Sequence, residues 1–308
     1  MPSQSLSSLA KFFLFLFCAT ANAEAPTRYL IVHSDDAGMS HSVNIATQDG
    51  LESGIVSSAS IMVPCPWFKE FAVYAKAHPK YDYGIHLTLN CEWGLYRWGP
   101  VASRDSVSSL VDPTGCLWSN VEQVAAHAKA EHVKIELKAQ IDRALEFGVP
   151  LSHLDTHMGA VLCRPDIVDV YVDLAVEYNL PILFFKGMPP ELGKEYPALA
   201  SQFQKSVSKL TERKLPLLDN LLQFYSGNIP EQRKQKYFDE IAKTPPGVTQ
   251  LIIHCGYDNE ELRAITDSSL RRDQDRAIFT DPKTLMFLQD QKIKLITWKQ
   301  FREQVSGR

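Results

Sequence analysis

The sequence predicts an α/β chain folded as a distorted, TIM-like (β/α) barrel with seven or eight parallel strands. Three observations predict it. Short β-branched runs alternate with longer helical patterns from residue 29 to the C-terminal end, as repeated βα units around a parallel sheet do. Seven or eight such units fit the roughly 285 residues that follow an N-terminal leader, which is the size of one barrel. No G-x-G-x-x-G follows the first run, so the fingerprint of an open dinucleotide-binding sheet is missing.

The strands are expected in order at Tyr29–His33, Ala59–Val63, Tyr83–Leu89, Leu151–Asp155, Ile182–Phe185, within Leu215–Tyr225, at Gln250–His254 and at Ile293–Thr297. Helical patterns fall between them at Val43–Ser53, Val121–Phe147, Ile167–Tyr178 and Asp281–Asp290. The second of these is dominated by Ala, Glu, Lys and Leu, which lose little on entering a helix. Two stretches exceed ordinary connection length: Asn90–Ser119, with three tryptophans, and Gly187–Gly247, rich in Pro and Lys. Long excursions of this kind decorate the catalytic face of a barrel or cover it. No interdomain linker or internal repeat appears, so residues 24–308 read as one barrel domain.

The leader is read from residues 1–23. Lys11 is followed by an apolar run from Phe12 to Ala21 and then the small-x-small pattern Ala21-Asn22-Ala23, the order of a secretory signal peptide. The run is too short for a lasting membrane span, and the mature chain is expected to be exported, periplasmic or secreted. Of the six cysteines, Cys18 would be lost with the leader. Cys65, Cys91, Cys116, Cys163 and Cys255 form no C-x-x-C, which removes zinc-ribbon and thioredoxin readings, and their odd number argues against a disulfide framework.

Composition narrows the function further. The 308 residues are 45% hydrophobic and 22% charged, which excludes general disorder. A net charge of −4 without a basic stripe excludes a surface built for nucleic acid. Oligomeric state is left open, with a homodimer as the form considered.

Four motifs sit where strands end, the place where barrel enzymes carry their chemistry. They are Ser34-Asp35-Asp36-Ala37-Gly38, Gly84-Ile85-His86-Leu87, His153-Leu154-Asp155-Thr156-His157 and Ile253-His254-Cys255-Gly256. Singly each is weak: paired aspartates usually make a solvated turn, and a strand histidine is usually a packed core residue. A barrel brings all four to one mouth, and that convergence carries the argument. One carboxylate and two imidazoles suit Zn²⁺ or a related divalent ion such as Mg²⁺ and leave a position open for water. His86, His157 and one carboxylate of the Asp35-Asp36 pair are then the expected ligands of one ion, and the other carboxylate the general base. His254 would protonate the leaving amine, and His153 and Asp155 would fix imidazole orientation.

The run Tyr-Leu-Ile-Val-His-Ser-Asp-Asp-Ala-Gly-Met-Ser from residue 29, then Gly-Ile-Val-Ser-Ser-Ala-Ser from 54, Gly-Ile-His-Leu-Thr-Leu and Ser-His-Leu-Asp-Thr-His, resembles the YdjC-like carbohydrate deacetylase family. It is similar to the branch that includes chitooligosaccharide and hopanoid-pathway deacetylases. The resemblance implies a distorted (β/α) barrel and removal of acetyl groups from N-acetylglucosamine-type sugars. It matches the family's base to Asp35, its metal ligands to Asp36, His86 and His157, and its late-strand acid to His254. The sequence departs from the family where Met158-Gly159-Ala160 replaces a further His-rich stretch, where Cys255 replaces a proline, and in carrying an export leader. A cell-wall, exopolysaccharide or chitin fragment fits an exported enzyme.

Trp93, Tyr96, Trp98 and Trp118 offer flat faces for sugar rings, and Tyr257, Asp258 and Asn259 would shape the same rim. Trp93, Trp98 and Tyr257 are taken as the substrate contacts. Two rival readings remain: a metal-dependent hydrolase of another ester or phosphoester, and an exported sugar-binding protein that keeps the barrel without the reaction.

Overall fold

A computed structural model describes residues 27–195, 200–227 and 229–306. The leader expected at residues 1–23 lies outside the described residues. Seven parallel strands form the centre: β1 Arg28–Ala37, β2 Ser58–Ile61, β3 Tyr83–Leu87, β4 Leu151–Thr156, β5 Asn220–Gln223, β6 Gly247–Ile253 and β7 Ile293–Leu295. Their order is β4-β3-β2-β1-β6-β5. β6 runs along one edge of β1 from Arg28 to Ser34. On the other edge β7 pairs with Arg28–Leu30 and β2 takes over from His33, so β7 and β2 share that edge of β1, with β7 at its N-terminal end.

Ladder pairing leaves an opening between β4 and β5, spanned by the single bridges Leu154↔Ile182 and Phe185↔Leu218. The strand expected at Ile182–Phe185 is therefore a pair of bridges. Leu183 N–H donates to Leu154 O at 2.9 Å, while Phe184 O accepts from Leu218 N–H at 2.8 Å, so the segment hands its bonds from one neighbour to the other. Pro181, which has no N–H to give, stands at its start.

Alternation along the strands sorts the side chains. His33 and Asp35, Ser58 and Ser60, Gly84 and His86, and His153 and Asp155 are each two residues apart, so each pair shares the inner face. Leu30, Val32, Ala59, Ile61, Ile85, Leu87 and Leu154 point the other way and are buried. At the base, the His153 ring stacks on Trp298 with centroids 5.1 Å apart, and Trp298 Nε1 donates to Gln250 Oε1 at 3.0 Å. This column needs a glycine beside it, since a Cβ at Gly84 would lie 2.3 Å from His153 Nε2.

The helices are α1 His41–Ser53, α2 Phe68–Ala77, α3 Val121–His127, α4 Ala130–Glu146, α5 Pro165–Tyr178, α6 Pro190–Glu195, α7 Ala200–Glu212, α8 Pro230–Ala242, α9 Glu260–Ile265, α10 Ser269–Thr280, α11 Pro282–Asp290 and α12 Trp298–Ser306. The single helix expected over Val121–Phe147 is broken at Ala128 and Lys129, which are extended. No Gly or Pro marks the break. Arg164 Nη1 instead binds the carbonyls of Ala125 and Ala128, each at 2.9 Å, and Ser109 Oγ accepts the Lys129 N–H, so tertiary bonds override local propensity.

All five described cysteines are free. No helix among the described residues is long and apolar enough to cross a membrane.

Candidate metal centre

The site begins with a backbone irregularity at the end of β1. Successive strand residues normally face opposite sides, which would separate Asp35 from Asp36. Here the register against β2 shifts between Ser34 and Ala37, and Asp36 adopts a left-handed φ of 70°. This conformation costs a non-glycine residue about 1–3 kcal/mol and turns both carboxylates into the same cavity. Gly38, at φ 90°, completes the turn, and its N–H donates to Asn44 Oδ1 at 2.6 Å.

Asp36, His86 and His157 present one ligand atom each within 4.8 Å of one another, all buried. Asp36 Oδ1 lies 3.4 Å from His86 Nε2 and 3.4 Å from His157 Nδ1. Each group is fixed from behind. His86 Nδ1 donates to Asp155 Oδ1 at 2.8 Å, His157 Nε2 donates to Glu92 Oε2 at 3.0 Å, and Arg272 Nη2 donates to Asp36 Oδ2 at 2.7 Å. Asp36 Oδ1, though buried, has no hydrogen-bond partner. A buried carboxylate oxygen left bare between two oriented imidazole nitrogens fits a divalent cation, and these three residues could hold one.

The charges agree with that reading. Burial opposes ionisation of Asp36, yet Arg272, His157 and His86 together hold its carboxyl well below the usual carboxylate range. Burial likewise opposes a charged His157, but Glu92 and Asp36 outweigh it and raise the imidazole to about 9. Asp35 behaves oppositely: burial, aided by Asp155 and Asp36, pushes it well above the usual range despite His86. His33 Nε2 is 3.3 Å from Asp35 Oδ1 but off the hydrogen-bonding direction, so that oxygen too is bare. His254 Nε2 stands 3.9 Å from Asp35 Oδ2. Burial, with Arg272, His86 and His157, lowers His254 to about 3, so it is neutral at pH 7.

A cavity of about 1120 Å³ opens over this cluster, slightly above the range of about 300–1,000 Å³ usual for small-molecule sites. Glu92 and Trp93 from the first excursion line it, as do Gly187–Pro190 and Asp219–Tyr225 from the second. Several sequence expectations need correction here. Trp98 is buried beneath Trp93, edge-on at 5.5 Å, and does not line the cavity. Tyr257 is outside it as well: its hydroxyl donates to Asp49 and its ring lies under the Arg276 guanidinium. His153 sits at the base, bonded to Ser152 Oγ at 2.8 Å, and orients neither His86 nor His157. Asp155 orients His86 rather than His157, and its other oxygen accepts from His33 Nε2 at 2.8 Å.

Three participants escaped the sequence reading. His33 was visible by alternation, two residues before Asp35 on the same face. Glu92 and Arg272 were not, because one lies in an irregular loop and the other in a helix full of charge.

Comparison with known proteins gives the context of this geometry. The profile of a family described as YdjC-like protein matches residues 29–290. A carbohydrate deacetylase of Thermus thermophilus is 34% identical over 282 residues, covering 90% of this chain and 94% of that protein. One from Thermoanaerobacter pseudethanolicus is 28% identical over 272 residues, covering 88% and 98%. A crystal structure from Enterococcus faecalis V583, of a protein provisionally assigned to cellobiose-phosphate cleavage, superposes with a TM-score of 0.73 at 22% identity, covering 89% of this chain and 98% of that one, and shows the shared fold.

Proposed function

The chain belongs to the YdjC-like protein family, and from that premise we propose that it is a metal-dependent hydrolase removing acetyl groups from N-acetylated sugars. The observation that carries this reading is the bare Asp36 Oδ1 between His86 Nε2 and His157 Nδ1, beneath a cavity walled by Trp93.

Asp36, His86 and His157 would hold one divalent ion, Zn²⁺ or Mg²⁺. When bound, it supplies Lewis-acid polarisation and lowers the pKa of water. Asp35, with Oδ1 unbonded and facing the same space, takes the proton from the attacking water. His254 Nε2, 3.9 Å from Asp35 Oδ2 and neutral at rest, is placed to carry that proton to the departing nitrogen. Asp155 and Glu92 keep the histidine nitrogens aimed at Asp36, and Arg272 keeps its carboxylate ionised. The volume supports an oligosaccharide or glycoconjugate as substrate. The leader at residues 1–23 supports action outside the cytoplasm.

The test is acetate release from N-acetylglucosamine oligomers by the mature chain, stripped of metal and restored, beside Asp35→Asn and His157→Ala. Release that requires both the ion and Asp35 supports the reading. A metal-loaded protein silent on every N-acetyl sugar would assign the site to another hydrolysed bond.

A further inference from the structure

The cavity contains a guanidinium that has no hydrogen-bond or ion-pair partner among the described residues. α10 carries Arg271, Arg272 and Arg276. Arg272 is paired with Asp36 at 2.7 Å, and Arg276 with Asp273 at 2.7 Å. Arg233, arriving from α8, is held by Asp275 at 2.7 Å. Arg271 lines the cavity, half-buried, and makes no hydrogen bond or ion pair among the described residues. Unpaired arginine is costly to keep in such a place, since its rigid fork of donors is suited to a planar oxyanion.

The acids around it do not answer that need. Glu92 is spent on His157, Asp219 on Lys186 and the Val248 N–H, and Asp275 on Arg233, Tyr237 and the His254 N–H. Asp35 and Asp36 face the reaction. Asp267, four residues before Arg271, attracts it but is exposed and forms no ion pair with it. One free positive charge is left among the described residues of a cavity whose ionisable lining is otherwise mostly carboxylates and histidines, with Arg272 already paired. That balance suits a monoanion better than a phosphate dianion, which would face the same carboxylates with twice the charge.

We infer that Arg271 is a specificity residue binding the carboxylate of an acidic N-acetylated sugar. The inference rests on the deacetylase reading and extends it to the substrate. It is tested with the metal-loaded protein on N-acetylmuramic acid, N-acetylglucosamine 6-phosphate and N-acetylglucosamine, measuring kcat/KM for acetate release and, separately, Kd by calorimetry. The carboxylate sugar is the preferred substrate, and Arg271→Ala lowers its advantage over the neutral sugar by about 10- to 100-fold, mainly through KM. Arg271→Lys recovers part of it as a point charge, and Arg263→Ala, on an exposed pair with Asp258, leaves the ratio unchanged. Equal treatment of acidic and neutral sugars, a preference for the phosphate, or an unchanged ratio in Arg271→Ala would overturn the inference. If no sugar yields acetate but the carboxylate sugar binds more tightly and Arg271→Ala abolishes this, the anion site stands and the deacetylase reading falls.

Discussion

Glu92 Oε2 lies 3.0 Å from Nε2 of His157, and this contact turns Nδ1, the less usual ligand atom, toward Asp36. A loop residue thus decides which nitrogen of a strand-end histidine faces the centre. Partners of this kind typically contribute 10- to 100-fold to metal affinity. Glu92→Gln, which removes the negative charge and turns one accepting carboxylate oxygen into a donating NH2, is expected to weaken Zn²⁺ binding by about that factor in chelator competition. Unchanged affinity would mean that backbone placement alone orients the ring.

Arg272 and Asp36 form a buried ion pair with side chains 7% and 3% exposed. Removing one member leaves a buried charge alone, which costs about 3–5 kcal/mol. Arg272→Met is expected to lower the urea-unfolding free energy of the metal-free protein by about that amount. Added Zn²⁺ should restore part of it, because a cation beside Asp36 replaces the missing charge. A variant as stable as the wild type without metal would contradict the arrangement.

His157 sets a pH window for the metal-free protein. Its folded value, about 9, lies above the ordinary histidine value of 6.5, so the protonated ring is favoured by folding. That stabilisation is complete below pH 6.5 and is lost as pH rises through 9; His86, also raised, acts in the same direction. The urea midpoint should fall across this interval. Zn²⁺ affinity should rise over the same range, since the ion competes with a proton, and calorimetry in buffers of different ionisation enthalpy would count the protons released.

Gly84 is committed by the ring beside it. A methyl there would meet His153 Nε2 at 2.3 Å, and that ring is backed by Trp298. Gly84→Ala should destabilise by about 1–3 kcal/mol through overpacking. Because the clash is with one side chain, the double variant Gly84→Ala/His153→Ala should cost less than the sum of the two single changes. Strict additivity in urea melts would place the strain elsewhere.

Much of the site could be read from the chain because strand periodicity puts His33 and Asp35, Gly84 and His86, and His153 and Asp155 on shared faces. What could not be read depends on contacts between distant segments. Arg272 is 236 residues from Asp36, and Glu92 is 65 from His157. The parallel barrel-like order was legible in alternating runs, whereas the bridged segment after Pro181 was not, since its residues look as strand-like as β6. Trp98 and Tyr257 misled for a simpler reason: an aromatic residue near a motif is as ready to pack against protein as against a sugar. The helix break at Ala128 had no local signal at all, because Arg164 causes it.

The opening between β4 and β5 divides the molecule by how quickly its amides should exchange with solvent. Asp36, His86 and His157 stand on or directly after β1, β3 and β4, held by continuous ladders. Leu183, Phe185 and Leu221 line the cavity from the seam of single bridges and the short β5 beside it. Deuterium should therefore enter the seam before it enters β1, because fewer bonds must open there. The wall that meets the sugar can then be reshaped, by mutation or by breathing, while the reacting groups keep their spacing, and new substrate preferences can arise without rebuilding the chemistry.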